Sequence, residues 1–327
     1  MSEFLVTGAS GFIGSRVSEI LLQEGHLVVG IDNLNDSYDT SLKNWRLKKL
    51  KKIPNFTYAE IDIHDFKILD EFAGTTKRNF EAVINLAAHA GVRKSVENPR
   101  VYYETNVLGT LNLLELCKKF KVEKFILASS SSIYGESDLI PFSEENNTEI
   151  LLSPYAASKK SAEDLCKTYN YLFGIDISIL RFFTVYGPAG RPDMSIFRFI
   201  KWIIERNPIQ IYGDGEQKRD FTFVDDIAQG TISSLKKVGL ETFNLGSDNP
   251  IKLLDVISII EQETGIKANL KFMDKFESDV FATWANIDKA KRILNWTPNT
   301  TFNDGIKKVV QWHLENKELV SQIEIQS

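Results

Sequence analysis

Cysteine is almost missing from this chain. Of its 327 residues two are cysteine, Cys117 and Cys166. Both fall in apolar helical patterns and not in a Cys-x-x-Cys spacing, so neither a disulfide framework nor a thiolate metal site organises the fold, and buried thiols are expected. Histidine is also scarce. The four residues, His26, His64, His89 and His313, are scattered along the chain, which leaves no ligand spacing for zinc. No apolar run reaches the length of a membrane span, and no charged segment leads into an apolar one as in a secretory leader. A soluble, cytoplasmic protein is expected. Positive charge is not in excess: 39 Lys and Arg stand against 44 Asp and Glu, a net charge of −5. That balance argues against nucleic acid as a partner. The one basic run, Lys48 to Lys52, is short and reads as a solvated helix face. Internal repeats and low-complexity linkers are absent too.

What is present is apolar substance and rhythm. Hydrophobic residues make up 43% of the chain, enough for one large domain or two intertwined ones. Strand candidates at 3–7, 27–31, 56–60, 81–86, 123–128 and 175–181 alternate with helical patterns, notably 101–119 and 153–173. That alternation predicts βαβ units and a parallel sheet. After Arg181 the pattern loosens, and Pro188, Pro192, Pro208 and Pro250 punctuate shorter elements. The polar tail after about Leu314 is expected to fray.

The first strand runs into Thr7-Gly8-Ala9-Ser10-Gly11-Phe12-Ile13-Gly14, and an amphipathic helix follows with Val17, Ile20 and Leu21 on one side. Strand, glycine turn and helix form the context of a dinucleotide site. Gly8, Gly11 and Gly14 let the backbone approach a pyrophosphate, and the helix start at Phe12 and Ile13 faces its charge. The second strand ends at Asp32, eighteen residues after Gly14. An acid there accepts hydrogen bonds from the adenosine ribose and repels a 2′-phosphate, so NAD is favoured over NADP. Tyr155-Ala-Ala-Ser-Lys159 places a phenol and an ammonium one helical turn apart on one face. A cation beside a phenol favours the phenolate, and a phenolate near neutral pH can take a proton from an alcohol.

Together the glycine spacing and Tyr155/Lys159 resemble the extended short-chain dehydrogenase/reductase family, and the resemblance covers nearly the whole chain. It implies a Rossmann-type doubly wound α/β fold. Residues 1–180 would form the NAD-binding domain and 181–327 a smaller substrate-binding region, partly interleaved with the first. It further implies that Asn33 joins Asp32 at the cofactor, that Asp62 and Ile63 contact adenine, and that Ala87 and Ala88 wall the nicotinamide side. Asn106, in Thr-Asn-Val-Leu-Gly-Thr, would position the cofactor. Ser130, in the serine run 129–132, matches the family's catalytic Ser or Thr and would relay the sugar proton to Tyr155. Members that dehydrate nucleotide sugars carry Asp and Glu at the next two positions, and UDP-xylose-forming decarboxylases carry Glu at the second. Here these are Ser131 and Ser132. Elimination lacks its acid/base pair, so oxidation followed by re-reduction remains.

On the substrate side, Ile209-Gln210-Ile211-Tyr212-Gly213 resembles the family strand that lines uracil, with Gln210 at the base edge and Tyr212 stacking. Arg219 matches a diphosphate-binding arginine, a role suited to a guanidinium fork. A second family arginine, three residues before the acid matching Asp279, is replaced by Phe276. Either Lys275 substitutes for it or Arg198 joins Arg219. The run from Arg181 to Met194 resembles the UDP-glucuronate 4-epimerases, as do Asp32-Asn-Leu-Asn-Asp and Ala90-Gly-Val-Arg93. Arg191 would bind the C6 carboxylate with Thr184 or Ser131 donating beside it and Arg93 as the next candidate, and Ser132 would also face the substrate; alternatively Arg191 makes a loop ion pair with Asp193. The implied activity is NAD-dependent 4-epimerisation of a UDP-sugar, UDP-glucuronate foremost, by a homodimer. UDP-glucose/UDP-galactose epimerisation, decarboxylation and a non-catalytic NAD-binding role are the alternatives.

Overall fold

Phe4, Leu5 and Val6 are buried on both sides of their strand, as a continuous apolar run must be when helices cover both faces of a parallel sheet. In the structure, a computed structural model describing residues 1–76, 78–136, 139–274 and 282–325, this strand is β1 (Glu3–Thr7), near the middle of the main sheet. Its fellows from the first part of the chain are β2 (Leu27–Asp32), β3 (Phe56–Glu60), β4 (Ala82–Asn85), β5 (Lys124–Ser130) and β6 (Asp176–Phe182). Later in the chain come β7 (Thr184–Tyr186), β8 (Pro208–Tyr212), β9 (Lys218–Phe223), β10 (Leu240–Leu245), β11 (Pro250–Lys252) and β12 (Asn269–Met273).

The main sheet has seven strands in the order β10-β6-β5-β4-β1-β2-β3, all paired in parallel. Its order reverses between β1 and β4. There the connections leave to opposite sides, and a crevice opens beyond the strand C-termini, the place where open α/β sheets bind ligands. One apolar core fills each face of this sheet. A third core, around Ile200, Ile209, Ile211, Phe221 and Ile257, supports a smaller lobe built on β7–β9–β11 and the β8–β12 pair. The seventh strand of the main sheet, β10, comes from the far side of residue 180 and pairs with β6 from Leu240↔Ile177 to Leu245↔Phe182.

Two helices depart from the sequence reading. The helix expected over 101–119 is broken by a π-helical turn, Tyr103–Leu108, because Asn106 turns inward to other backbone. Its carboxamide accepts from the His89 amide (3.0 Å) and donates to the His89 carbonyl (3.0 Å) and the Ser158 hydroxyl (2.9 Å). A π turn sets one side chain out of the α-helical register, which is why such turns mark special positions. The tail also differs: it does not fray after Leu314. Lys317–Gln322 forms a further helix, and Val320 and Ile323 are buried against Tyr38, Leu42, Ala189, Phe197 and Trp312. Apolar anchors spaced three apart hold a segment whose mean composition is polar.

His313 lies beneath that tail, 1% exposed, with Nδ1 at 2.9 Å from the Val309 carbonyl and its ring against Phe197. Burial holds its pKa down, from an ordinary 6.5 to about 4. A group with a lowered folded pKa stabilises the fold fully above its unfolded pKa, and that stability drains as pH falls toward the folded one. Between pH 7 and 5 the native protein should therefore lose about 2 kcal/mol more unfolding free energy than His313→Gln. Urea unfolding at the two pH values checks this, and parallel losses would clear His313 of the effect.

Candidate active site

The glycine turn after β1 is shaped by its neighbour across the switch point. Gly8 has φ +65, and a Cβ there would stand 2.8 Å from the Ala87 amide nitrogen, so the loops after β1 and β4 meet too closely for any side chain. Thr7 ties them, its hydroxyl donating to Asn85 Oδ1 (2.7 Å) and accepting from the Leu86 and Ala87 amides. The helix Phe12–Gln23 begins at Gly11 with no side chain capping its first turn. Uncapped N–H groups at a helix start suit an anion such as a pyrophosphate. Asp32, at the end of β2, accepts from the amides of Ser10 (3.0 Å) and Leu34 (2.9 Å), which aim its carboxylate at the crevice. Asn33 donates to Asp62 at 2.5 Å. These groups fit a dinucleotide without an added phosphate on its adenosine ribose.

A cavity of about 410 Å³ runs from this turn along the sheet edge. Among its lining are Gly8, Gly11, Phe12, Ile13, Gly14, Asp32, Asn33, Asp62, Ile63, Ala87 and Ala88 at one end, and Ser130, Ser131, Ser132, Tyr155, Lys159, Thr184 and Arg191 at the other. Asn106 is not in the lining. It stands behind the wall and fixes the His89 backbone, so its part is to hold the loop after β4 in place.

The helix Pro154–Phe173 starts at Ser153, whose hydroxyl accepts from the Ala156 amide, with Pro154 in the first turn. It ends at Gly174 with φ +70. Such caps define the register, and the register puts Tyr155, Lys159 and Glu163 on one buried face, one turn apart. Burial outweighs the rest and leaves the Tyr155 phenol above its ordinary value, with the Ser130 hydroxyl and the Arg191 guanidinium pulling it down; the lowering expected from Lys159 is not found. Lys159 Nζ donates to the Ala128 carbonyl at 2.9 Å. Burial drops its pKa to about 8, against an upward pull from Glu163. Glu163 is fully buried and paired with Arg181 at 2.9 and 3.0 Å, and it accepts from Ser129 at 2.6 Å. That last bond draws Ser129 and Ser130 into the strand: β5 runs to Ser130, two residues past its expected end. Ser130 then caps the 3₁₀ turn Ser131–Tyr134, accepting from the Ser132 amide.

Arg191 approaches from the loop after β7. It pairs with Asp193 at 2.6 and 3.1 Å and donates to the Ala90 carbonyl at 3.3 Å. The loop ion pair thus exists, and the same guanidinium still faces the cavity.

Farther out, β8 and the Ser195–Ile204 helix gather a second group. The Arg93 guanidinium lies 5.0 Å from the Tyr212 ring, and Tyr212 donates to Gln210 at 3.1 Å. Arg198 stacks on Trp202 at 4.6 Å and has a buried Nε with no hydrogen-bond partner among the described residues. Arg219, on β9, donates to the Lys218 carbonyl. Asp279, Lys275 and Phe276 lie outside the described residues. Three groups at the site escaped the sequence reading: Tyr38 and Lys43, which line the cavity, and Glu163 behind it; Asn35, also in the lining, lies within the Asp32-Asn-Leu-Asn-Asp run. Lys43 donates to the backbone and side chain of Asn35 at 2.7 and 2.9 Å. Only Glu163 carried a sequence signal, since it continues the four-residue spacing of Tyr155 and Lys159.

Comparison with known proteins agrees with this geometry. The family model described as GDP-mannose 4,6 dehydratase matches residues 5–309. A UDP-glucuronate 4-epimerase of Thermodesulfobacterium geofontis is 55% identical over 327 residues, 99% of this chain and 100% of that one. The UDP-glucuronic acid 4-epimerase of Bacillus cereus, solved in complex with UDP-glucuronic acid and NAD, has a TM-score of 0.88 at 37% identity, covering 96% of this chain and 99% of its own. A UDP-glucose 4-epimerase from Thermotoga maritima, solved with UDP-glucose, reaches the same TM-score, 0.88, at 28% identity over 96% and 99%. The chain belongs to the extended short-chain dehydrogenase/reductase family, among its NAD-dependent nucleotide-sugar epimerases.

Proposed function

We propose that this protein is an NAD-dependent 4-epimerase interconverting UDP-glucuronate and UDP-galacturonate. The observation that carries this reading is the placement of Arg191, with Thr184, Ser131 and Ser132, in the cavity that also holds Tyr155. A bidentate cation beside short hydroxyls suits a carboxylate at C6. Serines at 131 and 132 leave no acid pair to expel water.

In this reading Tyr155 takes the proton of the C4 hydroxyl, with Ser130 in the relay. NAD bound at the glycine turn and Asp32 would supply reversible hydride acceptance at C4. Lys159 holds the Ala128 backbone and places positive charge beneath the site. Arg191 favours the phenolate as well as the substrate carboxylate. Arg93, Arg198, Gln210, Tyr212 and Arg219, with Asp279, would keep the nucleotide in place while the 4-keto sugar turns about its phosphate linkage. Asn33, Asp62, Ile63, Ala87 and Ala88 would line the cofactor and Asn106 would position it.

We extend the proposal to a homodimer through the π turn Tyr103–Leu108 with the helix Gly109–Phe120 that continues it, and through the helix Pro154–Phe173, where Tyr103, Leu108, Tyr171 and Leu172 are exposed; light scattering at micromolar concentration reads its mass directly. The division into an NAD-binding part, 1–180, and a UDP-sugar part, 181–327, belongs to the same reading.

Because the redox cycle closes on itself, NAD should remain with the protein through purification. Purified enzyme with no added cofactor is expected to convert UDP-glucuronate to UDP-galacturonate, and denaturation should release NAD. Separation of products from a panel of UDP-sugars tests both points. NADP in the supernatant, or NADH accumulating in step with product, would contradict the cycle.

A further inference from the structure

Arg46 is not in the cavity lining, yet it grips three segments that form it. From the helix Thr40–Leu50 its 3%-exposed guanidinium donates through Nη1 to the Ser10 carbonyl (3.2 Å) and the Tyr38 hydroxyl (2.9 Å). Through Nε and Nη2 it holds the Ala189 carbonyl at 3.1 and 2.6 Å and reaches the Gly190 carbonyl at 3.4 Å. All five bonds end on neutral oxygens. Buried cations ordinarily pair with a carboxylate, so what these acceptors use is the fork geometry of the group, which a point charge cannot copy.

The peptide it holds is strained. Ala189 has φ +51, the left-handed region that a Cβ disfavours. Its side chain is 4% exposed, packed with Tyr38, Leu42, Phe197 and Trp312. Two residues on stands Arg191, whose guanidinium lies 5.6 Å from the Tyr38 ring. The same ring takes Arg46 at 5.7 Å and Lys43 at 5.0 Å. Beside Asp193 and the Ala90 carbonyl, Arg191 thus has two supports that Arg46 fixes: the backbone bend that delivers it and the ring it lies against.

We propose that Arg46 is a positioning residue for sugar specificity, holding the Ala189 peptide and Tyr38 so that Arg191 meets the C6 carboxylate. The inference rests on the uronate reading above. It differs from a role in stability alone, which would weaken every ligand equally.

The test uses purified NAD-loaded enzyme and calorimetric binding of UDP-glucuronate and UDP-glucose, with turnover of the former. Arg46→Lys keeps the charge, on a stem about one bond shorter, but loses the fork. It should weaken UDP-glucuronate about tenfold and UDP-glucose less than about threefold, with kcat falling less than KM rises and NAD content unchanged. Adding Ala189→Gly, which relaxes the left-handed peptide, should restore at least about threefold of the loss. If the native enzyme does not prefer the uronate, the uronate reading fails and this proposal with it. If it does prefer it and Arg46→Lys keeps the ratio within about twofold, or weakens both sugars alike, the proposal is overturned while the reading stands. Should Arg46→Lys give no soluble protein, Ala189→Val, which penalises the same backbone with Arg46 intact, has to shift the ratio in the same direction; an unchanged ratio overturns the proposal.

Discussion

Replacing Tyr155 by Phe is expected to lower kcat about 10³- to 10⁴-fold while changing UDP-glucuronate affinity less than about threefold. The ring is packed, 9% exposed, with its edge toward Tyr102 at 6.1 Å, and phenylalanine keeps that packing. What disappears is the hydroxyl, and with it the group proposed to accept the C4 proton. In the proposed function binding rests on arginines and backbone away from this hydroxyl, so it should survive. The pH dependence gives a second readout. Burial raises the phenol's pKa and the Arg191 cation lowers it, so the rate of the native enzyme should climb with pH as the phenolate forms. A variant with near-native rate removes Tyr155 from the role of base. A variant that also loses the sugar nucleotide would point to a binding role instead.

Arg191→Ala is the second large effect, and its signature is chemical. Oxidising a uronate at C4 makes a β-keto acid, since C5 alone separates the ketone from the C6 carboxylate. Such acids lose CO₂ when the breaking C5–C6 bond aligns with the carbonyl π system. An epimerase of this substrate has to hold its intermediate out of that alignment. A bidentate arginine does so by fixing the carboxylate plane and stabilising a charge that decarboxylation would disperse. Arg191 is anchored for the task by Asp193 and by the Ala90 carbonyl. We expect Arg191→Ala to epimerise UDP-glucuronate at least about 100-fold more slowly, to discriminate less against UDP-glucose and to release more UDP-4-keto-pentose. Losing a nearby cation also raises the Tyr155 pKa, so the rising limb of its pH profile should move to higher pH. Mass spectrometry of the products decides the matter. Native uronate selectivity with no extra decarboxylated product would take Arg191 out of this role and move attention to Arg93.

Much of this molecule could be read from sequence because its signals are local. Continuous apolar runs and 3.6-residue helical patterns placed the strands and helices of the first 180 residues, for a parallel sheet buries its strands whole. The glycine turn, Asp32 and the Tyr155/Lys159 spacing lie within short segments whose geometry depends on few other residues. Tertiary structure alone decided the rest. The end of β5 at Ser130 depends on Glu163 and Arg181, and the π turn on Asn106 reaching His89. The seventh strand came from residues 240–245, since an edge position is filled by whichever apolar segment the later chain can deliver. Arg46 is the plainest case. In sequence it is one cation on a basic helix, and its acceptors at Ala189 and Gly190 stand 143 and 144 residues away. Nothing periodic marks such a pair, because hydrogen-bond geometry between distant segments exists only once both cores have closed around it.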